Sequence, residues 1–434
     1  MVYFINLYDE FSLGERIFLS KNFPNNQRND RDNMTYGIST KSIHCGTEGK
    51  HSAHHPVNVP IYASSTFAFP TVDDGARIFS GEDTEGFTYG RLKNPTVCDV
   101  ERRIAELENA EDSLLLASGM AAVATFVFTI LQAGDHLITD KTLYGGTHSL
   151  FTHKLPSLGI DVSFVDCSKP NEVRNAIKSN TKLIYFESVT NPTLRLIPIA
   201  DMVEIGQQFG IMTAVDATFM SPVLQRPIEM GIDVVIHSAT KYLNGHSDII
   251  AGVISSRKDI IDECRTTAVH YGGILGPFEA YLLGRGLKTL KIRVKAHEEN
   301  ARLLAEYLAT KPELKSLSYL GSPNHPQHEL AKIQQDGFGS MITFELEGDL
   351  ELAKKFVNAL ELATRAVSLG GVETLISHPA STTHSIVSEE DRMNSGISDT
   401  LMRISVGIED IEDLIEDFEH AFQIISQFQP LITH

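Results

Sequence analysis

The sequence predicts an α/β protein in which a large domain with a mostly parallel sheet precedes a smaller α+β domain. Three observations carry this expectation. Short runs rich in Val, Ile and Phe alternate with helix-like stretches through the middle of the chain. Those runs are almost continuously apolar, as strands covered on both faces must be. After about residue 290 the texture changes to a long amphipathic helix and an alternating strand.

The alternation starts near residue 96. HLITD (136–140), VSFVD (162–166), KLIYFES (182–188), MTAVDAT (212–218), VVIHSAT (234–240) and IIAGVISS (249–256) read as strands, with NEVRNAIKSN and DMVEIGQQFG as helices between them. LLLASGMAAVATFVFTIL (114–131) has the length of a short membrane-spanning helix. It contains Ser118-Gly119 and two threonines, and no second such segment follows, so a buried core helix is expected. Beyond residue 290, IRVKAHEENARLLAEYLATKP reads as an amphipathic helix and GSMITFELEG as a half-exposed strand. ELAKKFVNALE, the glycine turn SLGGVET and the acidic helix IEDIEDLIEDFEHAFQII complete the chain. The expected segments are an accessory tail (1–33, polar and non-periodic towards its end), an arm (34–95), the large domain (96–290) and the C-terminal α+β domain (291–434).

Composition narrows the function. The chain has 434 residues, 42% hydrophobic and 21% charged, which is the balance of a soluble globular protein. A net charge of −19 argues against nucleic acid or an anionic membrane as partner. Cys45, Cys98, Cys167 and Cys264 are widely separated and form no CxxC pair, which points to thiols in a reducing, cytoplasmic setting. The start, MVYFINLYDEF, lacks the pattern of a secretory signal. The histidines share no ligand spacing, so no metal site is expected.

The chemistry concentrates in HSATKYLNGHSD, where Lys241 follows a strand-like run and is flanked by Ser238 and Thr240. A loop lysine is ordinarily just solvated. Here the two hydroxyls offer donors for a phosphate and the lysine an amine for a Schiff base, the combination that suits pyridoxal phosphate. Ala117-Ser118-Gly119-Met120 precedes an apolar helix, where free amides and the dipole favour a phosphate. By itself such a turn is common. Asp216 ends the AVD strand; alone it would read as a cap or turn residue, but in such a site a carboxylate must face the pyridine nitrogen. Strand carboxyl ends are where open α/β sheets place ligands, so the lysine and the aspartate are compatible with one crevice.

Nine ordered motifs extend this reading: TYGRLKNPT, ASGMAA, TLYGGT, ESVTNPT, VDATFMSP, SATKYLNGHSD, RGLKTLKIR, SLGGVETL and MRISVGIED. From about Tyr36 to Phe428 the chain resembles the Cys/Met-metabolism pyridoxal phosphate enzymes, the group of methionine γ-lyase, cystathionine γ-lyase and cystathionine γ-synthase. The resemblance implies the type I, aspartate aminotransferase-like fold of pyridoxal phosphate transferases. It implies that Lys241 holds the cofactor and moves protons, that Tyr144 stacks on its ring, and that Asp216 pairs with the ring nitrogen. Gly119, Met120, Ser238 and Thr240 would cradle the phosphate, while Tyr89 and Arg91 would reach the phosphate of a neighbouring subunit. Ser368 and Arg403 would bind the substrate carboxylate, with Asn191 contacting both ring oxygen and carboxylate and Thr383 assisting from behind. A homo-oligomer follows, in the family's usual form a tetramer made as a dimer of dimers.

The same resemblance bears on substrate. Branches that handle cystathionine often carry glutamate before SLGG, whereas this chain has Val367, which matches methionine γ-lyases. Bacterial methionine γ-lyases commonly have cysteine at the position of Gly146, and TFMSP, NGHSD, FVDCSKP and HPQHELAK are nearer to cystathionine γ-lyases. γ-Elimination from methionine is the first expectation and cystathionine γ-lyase the second. γ-Replacement by a synthase or sulfhydrylase and an inactive scaffold stand behind them. The family usually reads VDNT; Ala217 replaces that asparagine here, so weaker support for Asp216 is expected.

Overall fold

A computed structural model describes residues 36–46, 54–382 and 396–427, and all of the elements below lie within the unit Ile38–His434. Seven strands form the main sheet: β1 (Asp112–Leu116), β2 (His136–Asp140), β3 (Asp161–Val165), β4 (Thr181–Glu187), β5 (Met212–Asp216), β6 (Val234–Ser238) and β7 (Gly252–Ser256). Their order is β1-β7-β6-β5-β4-β2-β3, with β7 antiparallel to both of its neighbours and the other pairings parallel. Alternate residues supply two cores. Tyr185, Ala214, Ile236 and Ile254 face the helices Gly119–Ile130 and Lys258–Tyr271, while Ile184, Val215 and Val235 face the helix Ile199–Phe209. Burial on both faces is why these strands read as continuous apolar runs.

The apolar run 114–131 is not one helix. Leu114–Leu116 complete β1, Ala117 and Ser118 turn, and only Gly119–Ile130 is helical. Composition could not separate the two parts, because a strand covered on both faces and a buried helix are equally apolar. The break lies at the Ser-Gly pair: Ser118 is extended and its hydroxyl accepts the amide of Ala121 at 3.0 Å, a helix N-cap.

The second sheet runs β10 (Thr364–Arg365), β11 (Leu375–Ser377), β12 (Leu401–Ser405), β9 (Met341–Leu346) and β8 (Leu314–Ser318), antiparallel apart from the β10–β11 pair. The helices Leu350–Ala359 and Ile411–Ser426 pack on it through Phe356, Phe418 and Phe422. β9 is not half-exposed as its pattern suggests. Ile342, Phe344 and Leu346 face those helices, and on the other side Met341 joins the core of the large sheet. There Thr343 donates to the Pro192 carbonyl at 2.8 Å. Alternation thus records which neighbour each face meets, with a polar Thr where the contact is a hydrogen bond. The helix Leu290–Leu308 joins the two cores, with Val294 in one and Leu304 in the other. Among the described residues no helix is long and apolar enough to cross a membrane.

Candidate active site

The carboxyl ends of the parallel strands bring the chemistry together. Asp216 ends β5, Ser238 ends β6, and Lys241 comes next after Ala239 and Thr240 have turned the chain. Lys241 Nζ donates to Ser368 Oγ at 2.8 Å. The Ser368 carbonyl accepts from Arg403 at 2.9 Å, and Arg403 also donates to Asn191 Oδ1 at 2.9 Å. Four residues spread over 212 positions of chain thus form one connected network.

Its electrostatics are those of a cation-rich crevice. Burial, and then the Arg403 guanidinium, pulls the Lys241 ammonium down to about 8. Arg403 is only 8% exposed, and its Nε is buried without a hydrogen-bond partner. Burial lowers it to about 10, and it remains charged at neutral pH. A buried cation with an unfilled donor suits an anionic ligand such as a carboxylate.

The start of the helix Gly119–Ile130 meets the end of β6 at Ser238, three residues before Lys241. Ser118 serves the amides of Ala121 and Ala122, and the helix supplies no acceptor for those of Gly119 and Met120. A β-carbon on Gly119 would come within 2.9 Å of Ser238 Cβ, so only glycine lets the helix start approach the strand end this closely. Thr240 behaves differently from Ser238: its hydroxyl donates to the Ala251 carbonyl at 3.2 Å and accepts the Ala251 amide at 3.0 Å, bracing the turn before Lys241. Tyr144, 53% exposed, caps the short helix Gly145–Ser149. A β-carbon at Gly146 would lie 2.7 Å from its ring and 2.9 Å from Met120 Sδ, which puts Tyr144 and Met120 side by side.

Burial pushes the Asp216 carboxyl up, opposed by hydrogen bonds from Thr218 and by His237. Thr218 donates both its hydroxyl and its amide (3.0 Å) to Asp216 Oδ1, and its hydroxyl accepts the Ser238 amide at 2.9 Å. Ala217 is wholly buried in the apolar cluster beneath β4–β6. In this chain Thr218 is the side chain that holds Asp216, and Ala217 offers it no polar group. Thr218 was missed in the sequence, although an Asp-x-Thr step at a strand end is a recognisable side-chain turn. Glu187, at the end of β4, was also missed inside the ESVTNPT motif.

Tyr89 and Arg91 do not join the network within this chain: Arg91 donates to the Val269 carbonyl at 3.0 Å and lies 5.4 Å from the Tyr89 ring centroid. Val367 is 60% exposed next to Ser368. Thr383 lies outside the described residues.

The turn that carries Ser368 is held by Gly370. It has φ +72° and packs so tightly that a β-carbon would sit 2.7 Å from the Tyr242 amide nitrogen. Gly370→Ala is expected to push Ser368 off Lys241 and to reduce kcat/KM about tenfold or more, given roughly 1–3 kcal/mol of backbone strain. Steady-state kinetics beside a thermal melt checks this; unchanged kinetics would remove the turn from the site.

The donor set fits pyridoxal phosphate: an amine of lowered basicity, a glycine-walled amide corner, and a half-buried carboxylate able to receive a pyridinium N–H. Comparison with known proteins agrees. Residues 39–423 match the family described as Cys/Met metabolism PLP-dependent enzyme. The chain is 44% identical over 392 residues to the L-methionine gamma-lyase of Fusobacterium nucleatum, covering 90% of this chain and 98% of that one. It is equally 44% identical over 387 residues to the cystathionine gamma-lyase of Bacillus subtilis, covering 89% and 99%. The crystal structure of metB from Corynebacterium glutamicum superposes with a TM-score of 0.84 at 40% identity, covering 90% of this chain and 99% of that one. The chain belongs to the Cys/Met-metabolism family of pyridoxal-phosphate-dependent enzymes.

Proposed function

We propose that this protein is a carbon–sulfur lyase that performs γ-elimination on L-methionine, releasing 2-oxobutanoate, ammonia and methanethiol. The observation that carries the choice is Val367. This apolar side chain is 60% exposed beside Ser368, at the position where cystathionine-handling relatives often place a glutamate for a distal ammonium group. A methylthio end needs no such charge.

Bound pyridoxal phosphate supplies an aldehyde for the substrate amine and a ring that takes up the electron pair left at Cα. Lys241 is the residue that would hold the cofactor, and its amine would serve as the base for the Cα proton and afterwards a Cβ proton. Its lowered basicity keeps a useful fraction of free amine near neutral pH. Arg403 and the side chain of Asn191 take the substrate carboxylate, and Ser368 orients the Lys241 amine. Gly119, Met120 and Ser238 would hold the phosphate, with Thr240 bracing the loop; Tyr144 would cover the ring and Asp216 would meet its nitrogen. Water completes the release of 2-oxobutanoate and ammonia.

Tyr89 and Arg91 act across to a second copy. The segment that bears them exposes large apolar side chains, Val57 at 99%, Val72 at 82% and Phe79 at 68%, as a surface covered by another chain would. A homotetramer in the cytoplasm, with each site completed by a neighbour, is the assembly proposed. Size measurement and an Arg91→Ala variant with lowered cofactor affinity would support it.

The direct test is incubation with methionine, cystathionine, cysteine and O-acetylhomoserine, with products identified. Methanethiol and 2-oxobutanoate from methionine support the proposal; cysteine from cystathionine as the main product supports the second reading, which Gly146 favours. Val367→Glu is expected to shift the kcat/KM ratio towards cystathionine by about tenfold, on the order of one added charge contact in the substrate pocket. An unmoved ratio would sink the specificity argument.

A further inference from the structure

Glu187 closes β4 in register with Asp216 on β5, so two carboxyl groups stand side by side at the edge of the crevice. Glu187 is 6% exposed. Its Oε1 accepts the backbone amide of Tyr144, and the chain that leaves β4 at Glu187 bears Asn191 four residues further on. Those two residues belong to different halves of the site. Tyr144 carries the ring that lies against Met120, and Asn191 accepts from Arg403, which in turn reaches Ser368 and Lys241.

We propose that Glu187 is a positioning residue for cofactor and substrate: a single buried carboxyl group ties the Tyr144 loop to the end of β4, from which the segment bearing Asn191 departs towards Arg403. The inference rests on the reading of the Lys241 crevice as the cofactor site. Without Glu187 the Tyr144 amide loses its acceptor, and the Tyr144 loop is then free to settle away from the end of β4. The charged groups that face it are acids, Asp216 on β5 and Asp140 at the end of β2. Burial together with these two charges raises the Glu187 carboxyl well above the usual carboxylate range. A neutral acceptor is therefore enough at this position, and Gln is the conservative replacement. It keeps the oxygen that receives Tyr144 and removes only the titratable proton.

The experiment is a titration of the apoproteins of wild type, Glu187→Gln and Glu187→Ala with pyridoxal phosphate. Visible absorbance and circular dichroism of the bound cofactor are followed, with a thermal melt of each apoprotein. Glu187→Ala is expected to raise the dissociation constant tenfold or more and to diminish the dichroic signal, whereas Glu187→Gln stays within about threefold of wild type and keeps the signal. In kinetics with methionine, Glu187→Ala is expected to raise KM more than it lowers kcat, because the Tyr144 loop has loosened. The proposal is overturned if Glu187→Ala binds within threefold of wild type, or if Glu187→Gln loses as much as Glu187→Ala. The wild-type titration judges the cofactor site itself: if wild type takes up no pyridoxal phosphate, the underlying reading fails, independently of Glu187.

Discussion

Lys241→Ala is expected to abolish turnover of methionine, with a fall in kcat on the order of 10³ or more, and to remove the visible absorbance of bound cofactor. Two contributions go at once: the amine that holds the aldehyde and the base that moves protons at Cα and Cβ. The pH dependence sharpens this. Burial and Arg403 hold the ammonium near 8 rather than the ordinary lysine value. At pH 8 about half of Lys241 is free amine, roughly a hundredfold more than in an ordinary lysine. Uptake of pyridoxal phosphate by the apoprotein should accelerate with pH and level off above about 8. A rate still climbing towards pH 10 would contradict the assignment. Stability follows the same shift. The folded state binds this proton less tightly than the unfolded chain, so Lys241 makes the apoprotein more stable as pH rises from about 8 to the unfolded lysine range. Lys241→Ala should flatten that part of the stability–pH curve.

Arg403→Ala is expected to lower kcat/KM by about 10²-fold or more, chiefly through KM. The size follows from removing one partner of a buried charged pair, about 2–5 kcal/mol. Arg403→Lys should recover only a small part, because an ammonium cannot offer the planar fork that reaches Asn191 and Ser368 together. Cofactor absorbance should persist in both variants, since Arg403 grips substrate and not the phosphate. Loss of cofactor along with activity would show that Arg403 serves the crevice as a structural strut.

Residues close together in sequence were the most legible. Ser238, Thr240 and Lys241 sit within four positions, and the strand ahead of them is marked by its apolar run. Ser118-Gly119 could be read as a phosphate turn because a helix N-cap and a glycine approach have local signatures. The same run misled about its first residues, where β1 and the following helix share one composition. β9 misled for a related reason, since alternation does not say whether the second face meets water or another core.

Sequence by itself determined the α/β class, the succession of strands from β2 to β7, the family and the lysine and aspartate near adjacent strand ends, because periodicity and turn chemistry are local properties of the chain. Tertiary structure alone decided the rest. It linked Lys241 to Ser368 across 127 positions and Asn191 to Arg403 across 212, and set Glu187 against the Tyr144 amide 43 positions away. Those contacts depend on how two sheets meet at the edge of the crevice. A hydrogen bond between distant segments is fixed by their packing and leaves no periodic trace in either one.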